Sequence, residues 1–150
     1  MPPATDRIRE TFLPLMSQIT RQWRRMLDDA LKPLGLTQAT WLALLSISRA
    51  EEPMRQKDLA AGLGLDNSSV VRLLDNLQVA GYVERAEHAD RRAKTIQLTP
   101  MGQEVVLQVE AVVQQSRRRY LGDIPPAELG LAHSVLARLS DALAAGKPGA

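Results

Sequence analysis

Apolar side chains recur every three or four residues along the N-terminal part of the chain. They are Ile8, Phe12, Leu15, Ile19, Trp23, Met26, Leu27 and Ala30. Because an α-helix turns once in 3.6 residues, this spacing places them on one stripe of a long amphipathic helix. The segment Pro33-Leu34-Gly35 ends that helix, since proline and glycine both interrupt helical geometry.

Capping residues divide the next part of the chain into three shorter predicted helices. Thr37 is the expected N-cap of a second helix that runs to about Arg49. A third helix is predicted near Met54 to Gly62, and a fourth from Asp66 to about Ala80. Gly81 then ends the fourth helix, because glycine readily adopts the left-handed conformation of a C-cap.

The pattern changes after Gly81 to two short strands followed by two helices. Tyr82–Arg85 and Thr95–Leu98 are predicted strands, and the polar segment between them makes a two-stranded hairpin. Pro100 begins a long helix towards Tyr120, and Pro125-Pro126 begins a last one, since proline suits the first helical turn. Residues 146–150 are expected to fray.

The spacing of Ala60, Gly64 and Val70 is typical of a helix-turn-helix. The small residue allows two helices to cross closely, glycine supplies the positive φ of the tight turn, and the aliphatic residue anchors the second helix. An ordinary helical hairpin with a glycine turn has the same spacing, so the spacing alone leaves both interpretations open.

The fourth predicted helix carries polar side chains suited to reading DNA. The candidates for contact with the major groove are Asn67, Ser68, Ser69, Arg72 and Asn76. The N-terminal residues of such a helix meet base edges and phosphates, and arginine and asparagine form bidentate bonds with guanine and adenine. Gln56 and Lys57 are candidates for contact with the DNA backbone. A structural helix could use serine and asparagine for capping only, as Asp66 is expected to do.

Three cations cluster at the predicted hairpin tip. Arg91, Arg92 and Lys94 lie within four residues, where a hairpin could follow the DNA backbone and insert arginine into the minor groove. Asp90 has the wrong charge for DNA and is expected to structure the turn or hold a guanidinium. Taken alone, the segment is better interpreted as an ordinary solvated turn, but its position directly after a helix-turn-helix favours contact with DNA.

Composition restricts the function classes further. Hydrophobic residues make up 45% of the 150 positions, which excludes a disordered chain, and aromatics make up 3%, which argues against base stacking on an aromatic platform. The absence of cysteine excludes disulfides and thiol chemistry. No signal peptide and no apolar run of about 18 residues occur, so a cytoplasmic protein without a transmembrane helix is expected.

The sequence contains no recognisable catalytic or cofactor motif. His88 and His133 are too isolated for a zinc site, which needs three or four ligands. Paired carboxylates, nucleophile–base sets and phosphate-binding loops do not occur, so neither an enzyme nor a cofactor is expected.

Three motifs in this order resemble the MarR family of bacterial transcription regulators. Leu73–Arg85 resembles the end of the family's recognition helix and its first wing strand. Asp90-Arg91-Arg92 matches the Asp-x-Arg wing motif, and Leu98–Gly102 matches the Leu-Thr-x-x-Gly start of a dimerisation helix. The detailed resemblance spans about Thr37 to Gly102, and the flanking helices match in arrangement only.

The resemblance implies a homodimer that binds pseudo-palindromic double-stranded DNA operators, usually as a repressor. It assigns Arg92 to the minor groove and Asp90 to structural support. A small aromatic or amphipathic effector would bind between the dimerisation helices and the DNA-binding lobe, which makes Trp23, Trp41 and Arg24 candidates for its pocket. A tryptophan on an apolar stripe is, however, more often part of a core.

The predicted fold class is mainly α, an α+β winged helix with long terminal helices. Residues 1–36 are assigned to an N-terminal dimerisation helix, 37–99 to the DNA-binding lobe, 100–145 to C-terminal dimerisation helices and 146–150 to a tail. A winged-helix module for protein–protein assembly, without sequence-specific DNA binding, is the alternative function.

Overall fold

The computed structural model describes residues 4–87 and 94–146. It has six α-helices, a short 3₁₀ helix and three strands within those residues. In chain order they are α1 (Ala4–Leu31), a 3₁₀ helix (Lys32–Leu34), α2 (Gln38–Arg49), β1 (Met54–Arg55), α3 (Gln56–Leu63), α4 (Asn67–Val79), β2 (Val83–Glu87), β3 (Lys94–Leu98), α5 (Pro100–Leu121) and α6 (Pro126–Ala145). The mainly α winged-helix fold class is confirmed.

The sheet corrects one part of the sequence prediction. Met54 and Arg55, predicted to begin the third helix, form strand β1, which pairs antiparallel with Ile96 and Thr95 of β3. The sheet therefore has three strands in the order β1-β3-β2 instead of the two strands of a hairpin. A strand of two residues is too short to show alternation in the sequence, and it forms because β3 supplies its hydrogen-bond partners.

One hydrophobic core supports the helix-turn-helix and the sheet. It is built on α2, where Trp41, Ala43 and Leu44 are at most 1% exposed. The other elements contribute Leu27 and Leu31 from α1, Leu59 from α3, Val70, Leu74 and Leu77 from α4, Val83 and Ile96 from the sheet, and Val106, Val109 and Val113 from α5. Burial of these side chains fixes the orientation of α4 against the rest of the lobe.

The chain forms two compact units, Met1–Val113 and Gln114–Ala150. The first unit contains the helix-turn-helix, the sheet and the hydrophobic core. The second contains the end of α5 and α6, and among its apolar side chains Leu131 is 70% exposed and Leu143 is 62% exposed. The division predicted at residues 36/37 and 99/100 assigns roles in dimerisation and DNA binding, and it stays a prediction.

The hairpin strands β2 and β3 form the wing, and a tight junction joins the base of the wing to α5. Thr99 donates its backbone N–H to the Tyr82 carbonyl (3.0 Å) and its hydroxyl to the Gly81 carbonyl (2.5 Å). The Thr99 hydroxyl also accepts from the Gly102 backbone N–H (3.0 Å). A Cβ on Gly102 would overlap the Tyr82 carbonyl oxygen, so only glycine fits at this first turn of α5. These contacts give the Leu-Thr-x-x-Gly motif its physical reason.

Candidate nucleic-acid interface

The turn between α3 and α4 has the geometry that the sequence predicted. Gly64 has a φ of 65°, in the left-handed region, and ends α3. The backbone N–H of Leu65 then donates to the Ala60 carbonyl at 3.0 Å, which closes the turn. Because glycine has no Cβ, the chain reverses here without steric cost and directs α4 across α3.

Asp66 caps the N-terminus of α4, as predicted. Its Oδ1 accepts from the Ser69 backbone N–H at 2.7 Å and from the Ser68 hydroxyl at 2.9 Å. The bond from the Ser69 backbone is the main cause that lowers the pKa of Asp66 below its ordinary value, with the two serine side chains adding to it. The carboxylate is therefore ionised at neutral pH, where it stabilises the positive end of the helix dipole.

We expect the stability difference between the wild type and an Asp66→Asn variant to depend on pH. The lowered folded-state pKa means that the ionised cap contributes stability above the ordinary aspartate pKa. This contribution is lost as the pH falls through the lowered value. Urea unfolding at several pH values from 7 down to 2 should show the largest difference at neutral pH and a vanishing one in acid.

Asp141→Asn, which removes the same charge from α6, controls for the change in net charge. A difference between wild type and Asp66→Asn that stays constant over the whole pH range would contradict the assigned role of the carboxylate.

The polar residues of α4 lie on its outer side. Asn67, Ser68, Arg72 and Asn76 are exposed, while Ser69 is half-buried and donates its backbone N–H to the cap. The opposite side carries Val70, Leu73, Leu74 and Leu77, which are at most 7% exposed. The structure thus presents four of the five predicted groove residues to solvent on a helix that the core holds in place.

The start of α3 lies beside the start of α4. The Gln56 side-chain amide donates to the Asn67 side-chain oxygen at 3.1 Å, which connects the first turns of the two helices. Lys57 follows Gln56 and is exposed. The structure therefore brings together Gln56, which is predicted to contact the DNA backbone, and Asn67, which is predicted to contact the major groove.

The wing is described at its base only. Asp90, Arg91 and Arg92 lie outside the described residues. Lys94 is exposed at the start of β3, opposite Glu87 in the register of the β2–β3 pair. Arg85 of β2 donates to Asp75 of α4 at 2.7 Å, and this ion pair joins the base of the wing to α4.

The Arg85–Asp75 pair was not predicted from the sequence. Both residues occur in the segment that resembles the family's recognition helix and wing, but they are ten residues apart across the turn at Gly81. No helical or strand periodicity relates two such positions, so the pair could not be read from spacing. Opposite charges on either side of a predicted turn were the one available signal.

The candidate effector residues have different environments. Trp41 is 1% exposed and belongs to the hydrophobic core, and its indole N–H has no hydrogen-bond partner within the described residues. Trp23 on α1 is 36% exposed, and Arg24 next to it is also exposed. The location of Trp41 agrees with the alternative of a core tryptophan, and an effector role for these residues stays a prediction.

Metal sites and membrane-spanning helices are both absent from the described ranges, 4–87 and 94–146. No three or more metal-ligating side chains cluster there in an arrangement that could hold an ion. Within the same ranges, none of the helices combines the length and the apolar character needed to cross a bilayer.

Comparison with known proteins identifies relatives of this chain by sequence and by fold. A sequence model described as the MarR family matches residues 34–93. The structure of the transcriptional regulator PA3341 is 39% identical, covers 88% of this chain and 97% of its own, and superimposes with a TM-score of 0.82.

Two further structures have known binding partners. CouR from Rhodococcus jostii RHA1, bound to p-coumaroyl-CoA, is 29% identical, with 83% of this chain and 88% of CouR covered and a TM-score of 0.74. MepR of S. aureus, in a complex with DNA, is 20% identical, with coverages of 86% and 94% and a TM-score of 0.76. The likeness to MepR is one of fold.

Proposed function

This chain belongs to the MarR family and is a DNA-binding transcription regulator, and we propose that it acts as a homodimeric repressor of a pseudo-palindromic operator. A small aromatic or amphipathic ligand would release it from the DNA. The observation that carries the proposal is the outer side of α4, where exposed Asn67, Ser68, Arg72 and Asn76 are backed by a buried apolar side.

The proposed DNA contact places α4 in the major groove. Arg72 and Asn76 are four residues apart, hence about one helical turn, and both are exposed. Arginine can bond guanine bidentately and asparagine can do the same with adenine. The fold shared with MepR, which was solved with DNA, supports this use of the lobe. Gln56 and Lys57 at the start of α3, together with Lys94, Arg91 and Arg92 of the wing, would contact the backbone and the minor groove.

Exposed apolar side chains on the terminal helices support the proposed homodimer. On α1, Ile8, Leu15 and Ile19 are 52–61% exposed, and on α6, Leu131 and Leu143 are 62–70% exposed. Removing such side chains from water is favourable, and a second copy of the chain would do so. A two-fold dimer also places two recognition helices about 34–36 Å apart, which matches half-sites separated by one turn of DNA.

The release by a ligand is supported by analogy with CouR, which was solved with p-coumaroyl-CoA. We therefore take aromatic acids and their CoA thioesters as the first ligands to add to the protein–operator complex. Release of the DNA by such a compound at a concentration that leaves a control protein–DNA complex intact would support this part of the proposal.

Selection of bound fragments from genomic DNA tests the proposed function as a whole. Enrichment of a palindromic sequence supports an operator-binding repressor. Weak, salt-sensitive binding that is indifferent to sequence would instead favour a module for protein–protein assembly.

Substitution of two arginines should separate base reading from backbone contact. Arg72→Ala is expected to lower operator affinity by about 1–3 kcal/mol and to relax the preference at one position of each half-site, since a bidentate base contact is lost. Arg92→Ala is expected to weaken binding to all sequences and to reduce the salt slope by about 1. Mobility-shift titrations on the operator and on scrambled DNA, at several salt concentrations, measure both effects.

Arg138→Ala is the matched control, since it removes an exposed arginine from α6. Equal operator affinity for Arg92→Ala and wild type would contradict the role of the wing, and an unchanged selected sequence for Arg72→Ala would contradict base reading.

A further inference from the structure

Arg85 connects the wing base to the recognition helix at two points. From β2, its Nη2 atom donates to Asp75 Oδ1 at 2.7 Å and to the Val71 backbone carbonyl at 3.4 Å. Asp75 and Val71 are four residues apart and therefore lie on the same side of α4. The Arg85 side chain is 22% exposed, so it lies mostly between the two elements. We call these three residues the Arg85 strut.

The strut is poorly suited to a purely stabilising role. The Nε atom of Arg85 is buried and has no acceptor in the part of the chain that the structure describes. A mostly buried guanidinium loses hydration, and a buried N–H without a partner opposes folding. Asp75 is 56% exposed, so water solvates its carboxylate when Arg85 is replaced, and an apolar side chain of similar length is expected to leave stability nearly unchanged. Stability alone therefore gives no reason for an arginine here.

The strut is attached two residues from the described end of the wing. Arg85 is opposite Ile96 in the β2–β3 register, and two residues further along, Glu87 is opposite Lys94. Because β2 and β3 are joined by backbone hydrogen bonds, an attachment at Arg85 also restricts the position of Lys94. At about 3.3 Å per residue, the start of β3 lies about 7 Å beyond the attachment. A change of angle there would move the wing relative to α4.

We propose that Arg85 is a positioning residue for DNA binding, which holds the wing at the angle where Lys94 reaches the DNA backbone while α4 occupies the major groove. The inference rests on the proposed DNA-binding role of α4 and the wing. Arg85 itself contacts no DNA in this scheme, and it acts through Lys94.

A double-mutant cycle with Arg85→Met tests the proposal. In the wild-type background, Lys94→Ala should reduce the slope of log K against log salt by about 0.9, the value for one phosphate contact. In the Arg85→Met background, Lys94→Ala should change the slope no further. Arg72→Ala should reduce operator affinity by the same factor in both backgrounds. The urea midpoint of Arg85→Met should remain at the wild-type value.

Arg49→Met is the matched control. Arg49 forms the other ion pair between distant elements of the described chain, and this pair joins α2 to Glu110 of α5 at 2.9 Å. In the Arg49→Met background, Lys94→Ala should still reduce the salt slope by about 0.9.

Three outcomes would contradict the proposed role of Arg85. The first is that Lys94→Ala still reduces the salt slope in the Arg85→Met background. The second is that Arg85→Met lowers the urea midpoint and abolishes both the change in salt slope caused by Lys94→Ala and the loss of affinity caused by Arg72→Ala, which a merely structural role predicts. The third is that Lys94→Ala no longer changes the salt slope in the Arg49→Met control either.

The same double-mutant cycle on scrambled DNA distinguishes the proposed role of Arg85 from the proposed recognition of an operator. Backbone contacts do not depend on sequence, so the Arg85–Lys94 coupling should appear on scrambled DNA too. Wild-type protein that binds selected and scrambled DNA equally, with the coupling present, would overturn operator recognition and support the strut. Absence of any DNA binding at low salt would overturn both.

Discussion

Replacing Gly102 by alanine is expected to lower the free energy of unfolding by about 3 kcal/mol or more. The added Cβ would overlap the Tyr82 carbonyl oxygen, which is backbone and also accepts from the Thr99 N–H. Overpacking typically costs about 1–3 kcal/mol, and a clash with a hydrogen-bonded carbonyl lies at the upper end because neither group can rotate away. For a chain of this size the loss corresponds to a melting temperature lower by about 6–12 °C. Thermal unfolding followed by circular dichroism measures it.

Gly62→Ala provides the control for this experiment. Gly62 lies within α3, and a Cβ there would meet no atom within 4 Å. Alanine at a helical position that tolerates it stabilises by about 0.4–1 kcal/mol, chiefly by restricting the unfolded chain. The two glycines should therefore respond with opposite signs. A Gly102→Ala variant as stable as the wild type would refute the close packing of α5 on the wing base.

Trp41→Ala is expected to lower the free energy of unfolding by about 3–5 kcal/mol, the range for removal of a large buried aromatic side chain. Trp41 is 1% exposed in the core that holds α2 against the other helices of the lobe. Domains are commonly stable by about 5–15 kcal/mol, so the loss is a large share of the total. Urea unfolding of the variant, compared with the wild type at the same protein concentration, gives the value.

Trp41→Phe separates two contributions of the indole ring to stability, the packing of its apolar atoms and the burial of its N–H group. The indole N–H is buried without a hydrogen-bond partner in the described residues, so its removal offsets part of the lost volume. We expect this variant to be much more stable than Trp41→Ala. Wild-type stability of Trp41→Ala would contradict a core position. Because Trp23 is then the sole tryptophan of the sequence, its fluorescence in Trp41→Phe also reports ligand binding near α1.

The sequence determined the features that depend on neighbouring residues. The 3.6-residue spacing of apolar side chains predicts the long first helix, since burial requires them on one side, and capping residues, glycines and prolines predict the other five helices. Gly64, Gly81 and Asp66 predict where helices end and begin, because a positive φ and an N-cap are properties of the local backbone. The exposed polar side of α4 follows from the same periodicity. These predictions need no knowledge of distant contacts.

The tertiary structure decided what depends on residues far apart in the chain. Strand β1 exists because β3 pairs with Met54 and Arg55, which have no strand pattern of their own. Gly102 is indispensable because the Tyr82 backbone lies against it, and Arg85 meets Asp75 because the turn at Gly81 folds β2 back along α4. Periodicity placed Trp41 on a helix, but only packing against the surrounding elements buried it. Local pattern sets the elements, whereas close approach and burial arise only when those elements are assembled.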